Sequence, residues 1–291
     1  MSPQTLFISN PVAGSVAEEV VEQVTAVLAG GLDLRAVHPT TPEALRHLLA
    51  DHEGDRVVIA GGDGSLHLLI NQLADAGRLD GVAVGLIPMG TGNDFATGAG
   101  VPHDPLEAAR RCLDGAPVPV DAVVADDGEY VVNAAHAGIG AVAAERAQGA
   151  KAVAGRLAYP LGAIVAALSE TGYPATLTLD DEVIHDGMML FAMAANGPCI
   201  GGGVAMSPGA DPTDGLLDVL VFDAIPTAER VGLGLDIQRG THLRRDDVHH
   251  RRGHRLTIDG TDIDHNRDGE LRHGLDDVTY RVRPAAWRLL R

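Results

Sequence analysis

Apolar and polar positions alternate in blocks along the first third of the chain. Leu6-Phe7-Ile8-Ser9 is a short apolar run, closed by the turn-forming segment Asn10-Pro11-Val12-Ala13-Gly14-Ser15. Residues 16–29 carry Val16, Val20, Val24, Val27 and Leu28 at helical spacing. Leu32 to Val37 alternates like a strand and is broken by His38-Pro39-Thr40-Thr41-Pro42. Thr41 followed by Pro42 predicts an N-cap and first helical residue, with the helix running through Ala50. Residues 57–60 form an apolar strand that ends in Gly61-Gly62-Asp63-Gly64-Ser65; Leu66, Leu69, Ile70 and Leu73 then have helical spacing up to about Gly77. Val82 to Ile87 is the next strand. It ends at Pro88-Met89-Gly90-Thr91-Gly92-Asn93-Asp94-Phe95-Ala96, and Pro102 to Leu113 reads as helix. This βαβαβα alternation predicts a parallel sheet with helices on its faces.

The texture changes after Gly115. Pro117-Val118-Pro119-Val120-Asp121 is a proline-rich crossing that suggests a domain boundary. Val120–Ala125 and Tyr130–Ala134 flank Asp126-Asp127-Gly128 as a hairpin would. Residues 141–169 read mostly as helix, with a break near Tyr159-Pro160. Strand-like segments follow at Ala175–Leu179, Met188–Ala195, Leu217–Phe222, His254–Ile258 and Val278–Val282. The expected organisation is an α/β domain over 1–120, completed by about 276–291, and a β-rich sandwich over 121–275.

Composition narrows the function. The apolar share of 45% fills real cores, while the formal net charge is −18. Nucleic acid is therefore excluded as an expected partner, because phosphate backbones need a basic face. Lys151 is the only lysine, and aspartate outnumbers glutamate. Salt adaptation and a high-GC genome explain this bias equally well. The chain lacks an uninterrupted apolar run of about 18 residues, so no membrane-spanning helix is expected. Met1-Ser2-Pro3-Gln4 shows no basic region followed by a long apolar one, so no signal peptide is expected. Cys112 and Cys199 have no motif spacing, which fits a reducing cytoplasm.

Two Gly-rich turns carry the candidate chemistry. Each follows a predicted strand and precedes a helix, where bare backbone N–H groups and the helix dipole favour an anion. In a parallel sheet both turns lie at the carboxyl ends of strands, so they converge on one phosphate site. His249, His250 and His254 lack ligand spacing and read as solvated surface residues. Arg239, Arg244, Arg245, Arg251, Arg252 and Arg255 form the one basic concentration, read as paired surface arginines beside Asp246 and Asp247. Met188, Met189 and Met193 read as core.

Taken together, Asn10-Pro11 with Gly14, Gly61-Gly62-Asp63-Gly64-Ser65 and Pro88 to Ala96 resemble the diacylglycerol kinase catalytic-domain family. Gly138-Ile139-Gly140, Asn196-Gly197, Gly201-Gly202-Gly203, Pro208, Ala210, Asp214-Gly215, Leu217-Asp218 and Asp268-Gly269-Glu270 agree with its later motifs, so the resemblance runs from residue 10 to 270. Ser65 departs from the usual threonine but keeps the hydroxyl. The resemblance implies an N-terminal three-layer α/β nucleotide-binding domain of NAD kinase/phosphofructokinase-like form, with a C-terminal β-sandwich. It implies an ATP-dependent kinase acting on a lipid hydroxyl, with Mg²⁺ and transient peripheral contact with a membrane surface. ATP would lie against Asn10, Thr40, Gly61, Gly62, Gly64, Ser65, Gly90, Thr91, Gly92 and Asn93; the neighbouring Thr41 is the alternative to Thr40. Asp63, Asp121 and Glu270 match the active-site carboxylates, the first two near Mg²⁺ and Glu270 as general base. Asp211, Asp214 and Leu216 fall where the family holds a structural Mg²⁺. The alternatives are an NAD kinase-like enzyme with a soluble acceptor and a non-catalytic nucleotide-binding regulator. The identity of the lipid and the oligomeric state, a homodimer included, stay open.

Overall fold

The computed structural model describes residues 4–9, 14–139 and 171–291, without the side chains of residues 14–17. Asn10, Gly140 and the helix expected over 141–169 lie outside the described residues. In the first domain β1 (Thr5–Ser9), α1 (Gly14–Ala29), β2 (Leu34–Val37), α2 (Pro42–Asp51), β3 (Arg56–Gly61), α3 (Asp63–Asp75) and β4 (Ala83–Pro88) follow the predicted alternation. β1 pairs in parallel with both β2 and β3, and β3 with β4. After β4 come the one-turn helix α4 (Asp94–Gly98), which the apolar spacing does not announce, and α5 (Pro105–Asp114). α1 packs on α5 and α2 on α3. β1, β3 and β4 are buried on both faces, which is why they read as unbroken apolar runs, while the edge strand β2 is largely exposed.

The second unit is antiparallel. Its strands are β5 (Pro117–Ala125), β6 (Tyr130–Val131), β7 (Ala134–Gly138), β8 (Tyr173–Leu179), β9 (Glu182–Ala195) and β10 (Leu217–Asp223). Helix α6 (Thr227–Arg239) precedes β11 (Val248–Gly253), β12 (Arg255–Gly260), β13 (Ile263–Arg267), β14 (Glu270–Leu275) and β15 (Val278–Leu290). Along β9 and β10 the side chains divide between two cores. Met189, Ala192, Ala194, Leu217, Val219 and Val221 enter one; Leu190, Phe191, Met193, Leu220 and Phe222 enter the other.

β5 and β15 join the two units. They run antiparallel from Tyr280 opposite Ala125 to Leu290 opposite Pro117. One end of β15 pairs with β12, and its other end, at Arg288 and Leu289, pairs in parallel with β4. Trp287 on this end is buried with its ring 5.5 Å from that of Phe95.

Three surface expectations need correction. Met188 is 44% exposed, while Met189 and Met193 are buried. The histidines are paired rather than freely solvated: His249 with Asp223, His250 with Asp218 and His254 with Asp180. Of the arginine pairs, Arg245 with Asp247 is as expected, and the others use further aspartates. Arg245 bridges Asp236 and Asp247, Arg252 meets Asp214 and Asp218, and Arg255 meets Asp181.

Candidate active site

The two Gly-rich turns meet backbone against backbone. A Cβ on Gly62 would sit 2.9 Å from the Cα of Gly90, and one on Gly90 would sit 2.6 Å from the Cα of Gly62. Only glycine allows that approach. Asn93 holds the second turn in place: its Oδ1 accepts from the Gly90 N–H (2.9 Å) and its Nδ2 donates to the Gly90 carbonyl (2.9 Å). Asn93 takes a left-handed φ of 54°, which asparagine tolerates well. On the other side, α3 begins at Asp63 with Gly62 as a cap that offers no side chain. Gly61, Gly62, Ser65 and Gly92 are partly exposed around this crossing, and Gly64 and Thr91 are exposed.

Asp63 spans from this turn to the second one. Its Oδ2 accepts from the Asp94 N–H (3.1 Å) and its Oδ1 from the Phe95 N–H (3.0 Å), so it caps the start of α4. Burial pushes the Asp63 carboxyl up; the two N–H groups oppose this, and the charges of Asp94 and Asp268 add to it. Asp94 extends the chain of contacts. Its buried carboxylate accepts from the N–H groups of Gly202 (2.9 Å) and Gly203 (2.6 Å) in the second unit. The Gly201–Gly203 segment of the sequence is thus held on the Gly90–Asp94 turn by one aspartate.

Asp268 is the third buried anchor. It accepts from the N–H groups of Val132 (2.6 Å), Asn133 (2.9 Å) and Ala134 (3.1 Å), and from Nδ1 of His67 (3.0 Å). Its left-handed φ of 52°, followed by Gly269 at 98°, makes the tight turn between β13 and β14. Glu270 opens β14 opposite Arg267 and is exposed.

The other expected positions make contacts of their own. Asp121 is buried, with Oδ1 on the Ala285 N–H (2.7 Å) and Oδ2 on the Gly215 N–H (2.7 Å). Neither bond leads to Asp63; both tie β5 to β15 and to the loop that contains Asp214. Within that loop Asp211 and Asp214 are exposed and Leu216 partly so. The resemblance implies the Asp214 carboxylate with the Asp211 and Leu216 carbonyls, oxygen chemistry of the kind Mg²⁺ takes. Asp214 Oδ1 accepts from the Leu216 N–H (3.0 Å) and its Oδ2 meets the Arg252 guanidinium. The donor set fits a cation, and Arg252 would compete with it for that oxygen. Thr41 caps α2 by accepting from the Ala44 N–H (3.1 Å). Its hydroxyl is thereby committed, while Thr40 beside it is exposed.

Asp94 stands out in the sequence as a residue of the second turn that could hold a ligand or cap the next helix, but apolar patterning does not single out His67, Glu129 or Arg267. His67 follows Asp63 by four residues on α3, and Asn71 follows by four more. Asn71 Nδ2 donates to the Tyr130 carbonyl (2.8 Å), and its Oδ1 accepts from the Tyr130 N–H (2.8 Å). The polar stripe 63–67–71 on an otherwise apolar helix is the signal that marks this face.

The sequence model of the diacylglycerol kinase catalytic domain matches residues 4–125, and that of the YegS C-terminal NAD kinase beta sandwich-like domain matches residues 133–291. The chain belongs to the diacylglycerol kinase catalytic-domain family. Within that family it is 28% identical over 297 residues to the diacylglycerol kinase of Mycobacterium tuberculosis, covering 98% of this chain and 94% of that one. It is 33% identical over 196 residues to a Shewanella frigidimarina protein named "Probable lipid kinase YegS-like". That match covers 67% of this chain and 62% of the relative, under two thirds of the relative's length. A crystal structure of a diacylglycerol kinase from Bacillus anthracis has the same fold, with a TM-score of 0.77 at 22% identity, over 99% of this chain and 96% of that one. No helix among the described residues is long and apolar enough to cross a membrane.

Proposed function

We propose that this protein transfers the γ-phosphoryl group of ATP to a lipid hydroxyl, such as that of diacylglycerol. The observation that carries the reading is the backbone-on-backbone crossing of Gly62 and Gly90, with Asp63 at the start of α3. It leaves the first N–H groups of α3 facing the place where two strands end, a setting suited to phosphate. Phosphoryl transfer asks mainly for positioning and charge stabilisation, which such a cradle supplies.

In this reading Gly61, Gly62, Gly64, Ser65 and the Gly90–Asn93 turn hold the triphosphate, and Thr40 contributes its hydroxyl. Mg²⁺ accompanying ATP would be held by Asp63 and would neutralise charge between the β- and γ-phosphates. Asp121 braces the junction behind the site. Glu270, exposed at the start of β14, accepts the proton of the attacking hydroxyl. The acceptor enters at a membrane surface, which the protein visits transiently.

The test is transfer from γ-labelled ATP to a panel of lipids in mixed micelles, with NAD as the soluble competitor. Labelled phosphatidic acid is the expected product. Label in NADP and in no lipid would replace this reading with a soluble-acceptor kinase, and tight ATP binding without turnover would replace it with a nucleotide-binding regulator.

A further inference from the structure

The crossing of the two glycine turns accounts for the nucleotide side of the cleft. It leaves open how the turn that carries Glu270 is held at a fixed place relative to it. Four donors reach Asp268 in that turn. Three are backbone N–H groups of residues 132–134; the fourth comes from α3, the helix that begins at Asp63. The donor is His67, whose other ring nitrogen lies 3.2 Å from Glu129 Oε1. Both partners are carboxylates and can only accept, so a proton on each nitrogen satisfies both contacts. Asn71 Nδ2, 3.4 Å from Nε2, spends its two hydrogens on the carbonyls of His67 (2.9 Å) and Tyr130 (2.8 Å).

We propose that His67 is a positioning residue: a doubly protonated ring that bridges Asp268 and Glu129 and so fixes Glu270 against the helix of the nucleotide turn. The proposal rests on the phosphoryl-transfer reading above. The groups around the ring agree with it. Glu129 is itself held by Arg267 (2.6 Å) and Arg272 (2.7 Å), and Arg267 also holds Asp127 (2.6 Å). Arg267 is buried, with its guanidinium carbon 5.5 Å from the centre of the Tyr280 ring. Behind His67 there is thus a braced array of alternating charge, with Asp268 at one end and Arg267 and Arg272 at the other. A neutral ring would set a lone pair against one carboxylate, and a leucine would leave two buried carboxylates short of a donor.

The test compares the wild type with His67→Gln and His67→Leu. The glutamine amide can still donate to Asp268 but carries no charge. Loosening the turn by about 1 Å should lower kcat about 10²-fold. The KM for ATP should stay within about threefold, because the glycine turns are untouched and uniform binding is unchanged. Wild-type kcat should fall as the pH rises through about 9, where the ring loses its second proton, and this limb should be missing in His67→Gln. Amide hydrogen exchange at Gly269 and Glu270 should quicken at least tenfold in both variants. That last readout needs no lipid: if the wild type phosphorylates no lipid yet exchange quickens, the functional reading falls and the clamp stands. Unchanged exchange in His67→Gln overturns the clamp. So does a kcat loss that keeps the wild-type alkaline limb, and so does a rise in KM for ATP with kcat intact.

Discussion

Stability should peak near pH 6.5, and one histidine should set the alkaline side of that peak. Burial by itself would lower the pKa of His67, but the hydrogen bonds and charges of Asp268 and Glu129 overcome it and hold it at about 9 against an ordinary 6.5. A group whose folded pKa is raised contributes stability that is fully present below its unfolded pKa. That stability is lost as the pH climbs through the folded value. The window is therefore pH 6.5 to about 9, and the shift corresponds to about 3 kcal/mol. The side chain is only 9% exposed, so solvent screening removes little of this. On the acid side the sign reverses. Burial lowers His136 to about 4, against a smaller upward pull from Asp268. Burial also lowers His265 to about 3, helped by Arg267 and His136. Both stay neutral in the fold while the unfolded chain takes up protons, so stability falls as the pH drops below 6.5. Glu129, held at about 2 by His67 and Arg267 against its own burial, adds a loss only below about 4.5. Urea unfolding at fixed ionic strength from pH 4 to 10 reads the whole profile. The His67→Leu protein should lose the alkaline limb and keep the acidic one. A wild-type free energy that is flat between pH 6.5 and 9.5 would refute the ionic bridge at His67.

Four further outcomes are expected. Asp94→Ala strands the N–H groups of Gly202 and Gly203; it should cost about 2–5 kcal/mol in urea unfolding, with hydrogen exchange at both glycines accelerated. Gly62→Ala, whose new Cβ would sit 2.9 Å from Gly90, should weaken ATP binding at least tenfold by calorimetry. Gly64→Ala, whose new Cβ meets no protein atom within 4 Å, should leave the urea midpoint unchanged. Thr41→Ala removes the cap on Ala44 and should cost about 1 kcal/mol without altering ATP affinity, while Thr40→Ala should raise the KM for ATP and leave stability alone. Arg252→Gln frees an oxygen of Asp214, so added Mg²⁺ should raise the melting temperature more in this variant than in the wild type; equal shifts would show that Arg252 and the cation do not compete.

Where burial is apolar, the sequence reports it. Strands β1, β3 and β4 are covered on both faces, so each reads as a run of Val, Ile, Leu or Phe that no helix period fits. β13 is equally buried yet illegible, because His265, Asn266 and Arg267 fill it. His265 Nδ1 is met by the Tyr280 hydroxyl, Asn266 Oδ1 by the Gly269 N–H, and Arg267 Nη1 by the carboxylates of Asp127 and Glu129. Those partners are far apart in sequence, so hydropathy alone cannot announce them. β11, Val248-His249-His250-Arg251-Arg252-Gly253, fails for a similar reason: Val248 enters a core, but His249, His250 and Arg252 balance aspartates on β10. The glycine turns were legible because close backbone approach demands one residue type. His67 was not, since a single histidine on an apolar helix looks the same whether it fills a core or bridges two carboxylates. The four-residue spacing of Asp63, His67 and Asn71 is what tells the cases apart.

A chain with a formal net charge of −18 is an unexpected home for a polyanion. The hydrogen bonds around the cleft resolve this. Asp63, Asp94 and Asp268 line its junction, and each carboxylate accepts two or more N–H groups from another segment. Asp94 and Asp268 thereby spend their charge on protein donors that hold segments together, and the two N–H groups on Asp63 offset part of the charge of the one carboxylate that would also meet a cation. Gly62 places no side chain over the end of α3, so the N–H groups of Asp63 and Gly64 are not capped from there, while the Ser65 N–H turns back to the Gly62 carbonyl (3.0 Å). Carboxylates on the outer surface act through solvent, and beyond roughly 10 Å they are largely screened at moderate salt. On the proposed reading, phosphate affinity would rest on a few oriented backbone dipoles at short range, and the overall charge would act chiefly on the rate at which an anionic ligand approaches.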